Sequence, residues 1–283
     1  MTPWTPRADA DLRTMSDCAS IWRRYDADER RLTGAVSERM LDLGLLRPGM
    51  QVLDIATGRG EPAIRAAKRV APNGAVLGVD VAAELLAMAA ERAADEDVTG
   101  LELRVADAHS LEGVPRGRFD VALARWGLMY FDDPIAALDS IRLALRPGGR
   151  LVAAFWAEPE LVDYIHVPRS ALASLMALPP IDEDVPGTFR YAHRERIERD
   201  LASVGFLVNH VEERWTPVME ASTDDELIAW TRSFGMQRLL VDLPDPMQRA
   251  WERRLIETAE PLWKDGRLRL GGVTRLVVAD RPG

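Results

Sequence analysis

Asp54, Gly58 and Gly60 stand in the run Val52-Leu53-Asp54-Ile55-Ala56-Thr57-Gly58-Arg59-Gly60-Glu61-Pro62, and residues of these types at these spacings make a cradle for a ligand. A short apolar run leads into an acid, and two glycines then remove the Cβ atoms that would hold a ligand off the backbone. Pro62 suits the first turn of a helix, where its missing N–H is not needed, and Ile64, Ala67 and Val70 recur at helical spacing. A second apolar run, Val76-Leu77-Gly78-Val79, ends in Asp80, twenty residues beyond Gly60. That is where nucleotide-binding βαβ units hold a ribose by its hydroxyls.

The charge before the loop discriminates between nucleotides. NAD and FAD present a pyrophosphate to a helix N-terminus, and a carboxylate four residues before the first glycine would repel it. Asp54 stands there. The ammonium and sulfonium groups of S-adenosylmethionine turn the same charge into an attraction, so Asp54-x-x-x-Gly58-x-Gly60 favours that cofactor over a dinucleotide.

The stretch from about Tyr25 to Trp156 resembles the class I S-adenosylmethionine-dependent methyltransferases, most closely the small-molecule group of the ubiquinone/menaquinone biosynthesis type. Five motifs carry the resemblance in order: Val52-Leu53-Asp54 with the Gly58/Gly60 loop, Asp80, Ala106-Asp107-Ala108, Phe119-Asp120-Val121-Ala122, and Leu145-Arg146-Pro147-Gly148-Gly149-Arg150-Leu151. The resemblance implies an α/β fold: a doubly wound, mostly parallel seven-stranded sheet with a final antiparallel strand and helical lid insertions. It places Asp54, Gly58 and Gly60 around the methionine part of the cofactor, Asp80 and Val81 at the ribose, and Asp107 with the backbone of Ala108 at the adenine. It also folds an N-terminal helix over the cofactor, with Tyr25 approaching the methyl group. Two departures stand out. A third loop glycine is absent, with Glu61-Pro62 expected in its place, and the Asn and His of many relatives after the fourth strand are replaced by Arg125-Trp126-Gly127-Leu128-Met129-Tyr130.

Methyl transfer from a sulfonium is an in-line displacement, so much of its rate comes from placing the acceptor atom at roughly 3 Å from the methyl carbon. A base is needed only where the acceptor must lose a proton. Met129 cannot move one, which leaves Tyr130 in that turn and His166 in the following insertion as catalytic candidates. His109 follows the adenine turn. Arg125, at the carboxyl end of a strand, is a candidate for the cofactor carboxylate, while Tyr25, Trp126 and Trp156 are expected at the substrate. No metal site is expected.

Composition narrows the acceptor. The 283 residues carry a net charge of −9, with 45 acids against 36 bases and no strong basic run, and a phosphate backbone needs a basic face. Base-methylating signatures are missing too: no Asn/Asp-Pro-Pro-aromatic tetrad follows the fourth strand, and there is no pair of cysteines. A small-molecule acceptor is expected, with no nucleic acid and no membrane partner, since no apolar stretch reaches membrane-spanning length. Met1 to Arg7 lacks the basic and apolar segments of a signal peptide, and Cys18 is the lone cysteine, which fits a reducing cytoplasm.

The elements that must position these residues follow from periodicity. One or two helices are expected over 16–45, strands near 51–55, 75–80, 101–105, 119–125 and 149–156, and helices near 60–71, 82–94 and 134–145, the last capped by Asp133 with Pro134 at its first position. Alternating strands and helices mean a parallel sheet with the ligand outside its carboxyl edge. Residues 157–192 read as an insertion, 193–204 as a helix, 206–215 as a strand, 223–264 as two amphipathic helices opened by the capping box Thr223-x-x-Glu226, and 268–279 as the closing antiparallel strand. The resulting division is a helical lid over 1–45, a cofactor core over 46–156, and 157–283 completing the sheet with cap insertions 157–192 and 217–266. Trp156, Trp215, Trp230 and Trp251 suggest an apolar or aromatic substrate pocket under that cap. The expected activity is methyl transfer to O, N or C of a small apolar or aromatic metabolite. The alternatives are a non-methylating reaction such as cyclisation in the same pocket, and a cofactor-sensing binding module.

Overall fold

A computed structural model of the chain describes residues 19–283. Cys18 and the first part of the expected N-terminal lid lie outside the described residues. Seven strands form one sheet: β1 (Gln51–Ile55), β2 (Ala75–Asp80), β3 (Leu101–Val105), β4 (Phe119–Arg125), β5 (Leu145–Trp156), β6 (Leu207–Ala221) and β7 (Leu268–Asp280). Their order is β3-β2-β1-β4-β5-β7-β6. The first five pair in parallel, and β7 runs antiparallel between β5 and β6. The central strands are continuous apolar runs because both faces are covered: β1 is buried from Val52 to Ile55, and β4 from Val121 to Ala124.

Each face has its own core. On one, α1 (Ala19–Leu43) and α2 (Ala63–Val70) pack Val36, Met40, Leu41, Ala63, Ala67 and Val70 onto Val52, Leu123 and Val152. On the other, α4 (Pro134–Ala144) and α6 (Arg194–Ser203) bring Leu138, Ile141, Ile197 and Leu201 onto Leu53, Ala122 and Leu151. Between β2 and β3 runs α3 (Ala83–Asp95). The α4 cap is formed as the sequence predicts, the Asp133 carboxylate accepting from the Ala136 N–H at 3.0 Å with Pro134 opening the helix. The α1 helix is a single element of 25 residues, about 37 Å long at helical rise. Its C-terminal half is therefore a sheet layer, and only its N-terminal half reaches past the carboxyl edge, which corrects the expectation that residues up to 45 act wholly as a lid.

A third core builds the cap. Trp156, the last residue of β5, pairs with Thr274, so the Leu268–Val273 part of β7 runs beyond β5 and pairs with Trp215–Ala221 of β6 as an arm overhanging the carboxyl edge. β6 thus runs to Ala221, past the end of the strand expected over 206–215. From it hang α7 (Asp224–Ser233), α8 (Gln237–Leu240) and α9 (Asp245–Ala259), packed with α5 (Asp163–Ala173) through Val167, Leu172, Leu227, Trp230, Trp251 and Leu255. The Thr223 hydroxyl accepts from the Glu226 N–H at 3.2 Å, and Glu226 returns the contact to the Ser222 N–H at 2.6 Å.

Candidate active site

The cradle is the turn between β1 and α2. Its backbone takes positive φ at every second residue, 52° at Ala56, 52° at Gly58 and 88° at Gly60. The missing third glycine is thus at Ala56 and not at Glu61-Pro62, and the left-handed conformation costs an alanine about 1 kcal/mol. Glu61 is instead nearly buried, pairing with Arg65 at 3.0 Å and Arg92 at 2.5 Å to tie α2 to α3. The two glycines do different work. A Cβ on Gly58 would meet nothing within 4 Å, so the backbone there is open to a ligand; one on Gly60 would strike Ile64 Cδ1 at 2.7 Å and Ala89 Cβ at 3.3 Å, so Gly60 serves the packing of α2 on α3.

Asp54 is fully buried beneath this turn. Its Oδ2 accepts from the Thr57 hydroxyl at 2.6 Å and the Ala63 N–H at 3.1 Å, closing the loop and capping α2, while Oδ1 is buried without a hydrogen-bond partner. Desolvation outweighs these donors and the nearby Arg125, and pushes the carboxyl up to about 7.

Asp80 ends β2 beside the cradle. Its Oδ2 accepts from the Gly58 N–H at 2.8 Å and its Oδ1 from the Ala82 N–H at 2.9 Å, and burial raises it above the usual carboxylate range. Beyond it Val81 is half exposed, leaving an apolar surface beside the cradle. The register of β2 on β3 sets Asp80 opposite Val105, and the Ala106 N–H donates to the Asp80 carbonyl at 3.0 Å, so the Asp107 turn follows at the adjacent strand end. Ala108 is buried in the core there, whereas Asp107 is exposed and held by His109.

The N-terminal half of α1 is fastened to the cradle by charge. Arg59, between the two glycines, pairs with Asp26 and, at 2.8 Å, with Glu29, and lies 4.3 Å from the Trp22 ring centroid. Arg125 donates to the Thr33 and Ser37 hydroxyls at 2.9 and 3.2 Å and to Glu29 at 3.1 Å. Burial disfavours the Glu29 charge, but Arg125 and Arg59 outweigh it and hold the carboxyl below its usual range. The expected role of Arg125 at the cofactor carboxylate is corrected: its guanidinium is engaged by α1.

An aromatic run crosses from the end of β4 into the cap, with Trp156 and Trp230 buried in the cores that it joins. Trp126 stacks on Trp156 with centroids 4.5 Å apart, Trp156 meets Tyr164 at 5.2 Å, Tyr164 meets Trp230 at 6.0 Å, Trp230 meets Phe234 at 5.1 Å, and Phe234 meets Trp22 at 4.7 Å and Tyr25 at 5.4 Å. Trp126 has φ 54°, a strained value for a bulky residue, and its buried indole N–H has no partner. The Gly187 N–H donates to the Met129 carbonyl at 2.9 Å, and Thr188 meets the Tyr130 hydroxyl at 3.1 Å, so the 181–192 segment closes over this turn.

Several expected roles change here. Tyr130 is placed at the run, but desolvation pushes its hydroxyl above the usual tyrosine range, as it does more strongly for Tyr164, so each is a donor and not a base at neutral pH. His166 is exposed on α5, 3.5 Å from the Ser170 hydroxyl; it lies two residues from Tyr164, about 200° around the helix, and faces away from the aromatic run. Trp251 is fully buried with its N–H on the Pro168 carbonyl at 3.0 Å, and is cap core, while Trp215 lies half exposed on β6 with its N–H on Asp163. Of the four tryptophans expected in a pocket, Trp156 and Trp230 belong to the run. Tyr164, Phe234, Glu29 and Arg59 were not singled out by sequence, although an arginine between two cradle glycines was a visible signal. A separate cavity of 590 Å³, lined by Glu158, Arg169, Met176, Pro180, Ile181 and His193, shares no residue with the run or the cradle.

These residues fit S-adenosylmethionine: open space over Gly58, an unpartnered buried carboxylate oxygen for a cationic group, and a carboxylate and an apolar surface at the nucleoside end. A family profile described as a methyltransferase domain matches residues 46–183. The chain is 30% identical to a nocamycin O-methyltransferase from Saccharothrix syringae over 237 residues, 80% of this chain and 83% of that one. It is 36% identical to a demethylmenaquinone methyltransferase from Thermus thermophilus over 146 residues, spanning 50% of this chain and 64% of the relative. The fold superposes on the [4+2]-cyclase SpnF with a TM-score of 0.56 and 20% identity, covering 88% of this chain and 80% of that structure. On this fold, this cradle and the long match to a methyltransferase, the chain belongs to the class I S-adenosylmethionine-dependent methyltransferases.

Proposed function

We propose that the enzyme methylates an oxygen of a small, flat, apolar or aromatic metabolite. The observation that carries this reading is the aromatic run from Trp126 to Tyr25 along the carboxyl edge beside the cradle. The partly exposed rings Trp22, Tyr25, Trp126, Tyr164 and Phe234, fixed by the buried Trp156 and Trp230, offer a planar acceptor contact area in a set orientation. The bound cofactor supplies an electrophilic methyl group on a sulfonium leaving group. The chain's part is to hold the acceptor oxygen in line: Trp126, backed by the buried Trp156, sets the plane of the acceptor, and the Tyr130 and Tyr164 hydroxyls, both protonated at neutral pH, donate hydrogen bonds to oxygen.

Among the described residues no histidine stands at the run, and Glu29, the carboxylate beside it, is ion-paired with Arg59 and Arg125. His109 sits on Asp107, His166 faces outward, His193 lies between Glu158 and Glu183, and His210 pairs with Glu212. The acceptor therefore brings its own acidity, as a phenol or an enolised dicarbonyl does, and its proton leaves to water as the oxygen–methyl bond forms. The O-methyltransferase that matches this chain over most of both lengths supports oxygen as the reacting atom.

The test is mass spectrometry of products from a panel of phenols, enols, amines and quinols incubated with the enzyme and methyl-deuterated S-adenosylmethionine. Transfer of the labelled methyl to hydroxylated flat acceptors is expected. A product of unchanged mass would mean cyclisation or isomerisation, and labelling confined to nitrogen or carbon acceptors would overturn the oxygen assignment.

A further inference from the structure

We infer that His109 is a positioning residue for cofactor recognition, holding Asp107 in place for the amino group of the adenine; this rests on Asp107 being the adenine's partner. Asp107 would otherwise be a freely rotating carboxylate, since its side chain is more than half exposed. Two contacts remove that freedom. Its Oδ1 accepts from the His109 backbone N–H at 2.9 Å and from the His109 ring Nδ1 at 2.6 Å. The ring is held in turn: Nε2 lies 3.2 Å from the Asp133 backbone nitrogen, and the Ser140 hydroxyl donates to the His109 carbonyl at 2.8 Å. Phe131 packs against the imidazole at 5.4 Å.

The tautomer follows from elementary bonding. A backbone N–H can only donate, so Nε2 is the acceptor and the single ring proton of neutral His109 sits on Nδ1, directed at Asp107. The backbone N–H of His109, and secondarily its ring, keeps Asp107 below the usual carboxylate range, ionised and purely an acceptor. With Oδ1 doubly engaged and no donor on Oδ2 among the described residues, one oxygen remains for an exocyclic amine. Because Asp133 also caps α4, the clamp joins the adenine turn to the helix after β4. A purine with a carbonyl oxygen at that place would meet lone pair against lone pair, so the clamp sharpens discrimination for adenine over hypoxanthine.

Calorimetric titration with S-adenosylhomocysteine and with its inosine counterpart tests this on the full chain. His109→Gln keeps an acceptor near Asp133 and loses the donor to Asp107, while His109→Asn keeps an amide N–H near the Nδ1 position. The Gln variant is expected to bind S-adenosylhomocysteine at least fivefold more weakly with little change for the inosine ligand, and the Asn variant to stay within twofold of the parent. Equal weakening for both ligands, or equal weakening in both variants, would reduce His109 to a structural residue and overturn the inference. Asp107→Ala separates the two layers. If it leaves the adenine preference intact, the assignment of Asp107 itself fails; if it abolishes the preference while His109→Gln does not, only the positioning role fails.

Discussion

Replacing Asp54 by asparagine should stabilise the cofactor-free enzyme above neutral pH while weakening its hold on S-adenosylmethionine. Asp54 is fully buried, and its carboxyl is pushed from an ordinary 3.8 up to about 7. The folded state therefore binds this proton more tightly than the unfolded chain. Between those two values the unfolded chain is ionised and the folded one is not, so stability falls as pH rises and levels off above about 7. From pH 5.5 to pH 8 the loss from this one group is about 2 kcal/mol. For a chain of this length that is about 4 °C in Tm, at about 2 °C per kcal/mol. Glu96, held at about 2 by Lys68 and Arg92 against its own desolvation, and Glu212, held at about 2 by Arg39, stay ionised over that window and add no slope. The substituted amide would keep an acceptor for Thr57 and Ala63 and would have no charge to desolvate. Differential scanning calorimetry of both proteins across this range should show the parent losing about 4 °C more than Asp54→Asn. Parallel Tm curves would refute the desolvation argument. Cofactor titration supplies the other half: without the negative charge, affinity should drop about tenfold, or ~1.4 kcal/mol.

Three further outcomes follow from the same geometry. Gly58→Ala should cost about 1 kcal/mol of stability and abolish cofactor binding, because its Cβ enters open ligand space, whereas Gly60→Ala should cost about 2 to 4 kcal/mol from contact with Ile64 and Ala89; thermal melts and calorimetry on both separate a ligand-facing glycine from a packing one. Glu29→Gln leaves Arg59 and Arg125 facing a neutral group and should destabilise by about 3 kcal/mol, with faster amide exchange in the N-terminal half of α1; unchanged exchange there would mean the ion cluster does not fasten the helix. Tyr130→Phe should lower kcat/KM about fivefold, the loss of one hydrogen bond to the acceptor oxygen, whereas removing a base would lower it about 100-fold or more.

What could be read from the residues was local. The strand–turn–helix at 52–70, the Asp133–Pro134 helix start and the capping at Thr223 are each set by sterics and hydrogen bonds within a few residues, so periodicity and turn chemistry revealed them. The same locality explains why Asp80 could be placed: β2 follows one helix after the cradle, and parallel pairing of β1 with β2 leaves its end beside Gly58.

The misplacements concern side chains whose surroundings come from distant segments. Whether Trp251 lines a pocket or fills a core depends on α5, 83 residues earlier, supplying the Pro168 carbonyl. Whether Arg125 reaches the cofactor depends on Glu29, Thr33 and Ser37 arriving from α1, and whether His166 faces the acceptor depends on which side of its helix Tyr164 takes. By itself the sequence determined the cradle, the cofactor class and the succession of strands and helices along the chain, because backbone conformation and apolar periodicity are short-range properties. Only the tertiary structure decided which charges pair over the cradle, which aromatics join in one run and which hydroxyls are desolvated, because burial and long-range contact exist only once the layers have packed.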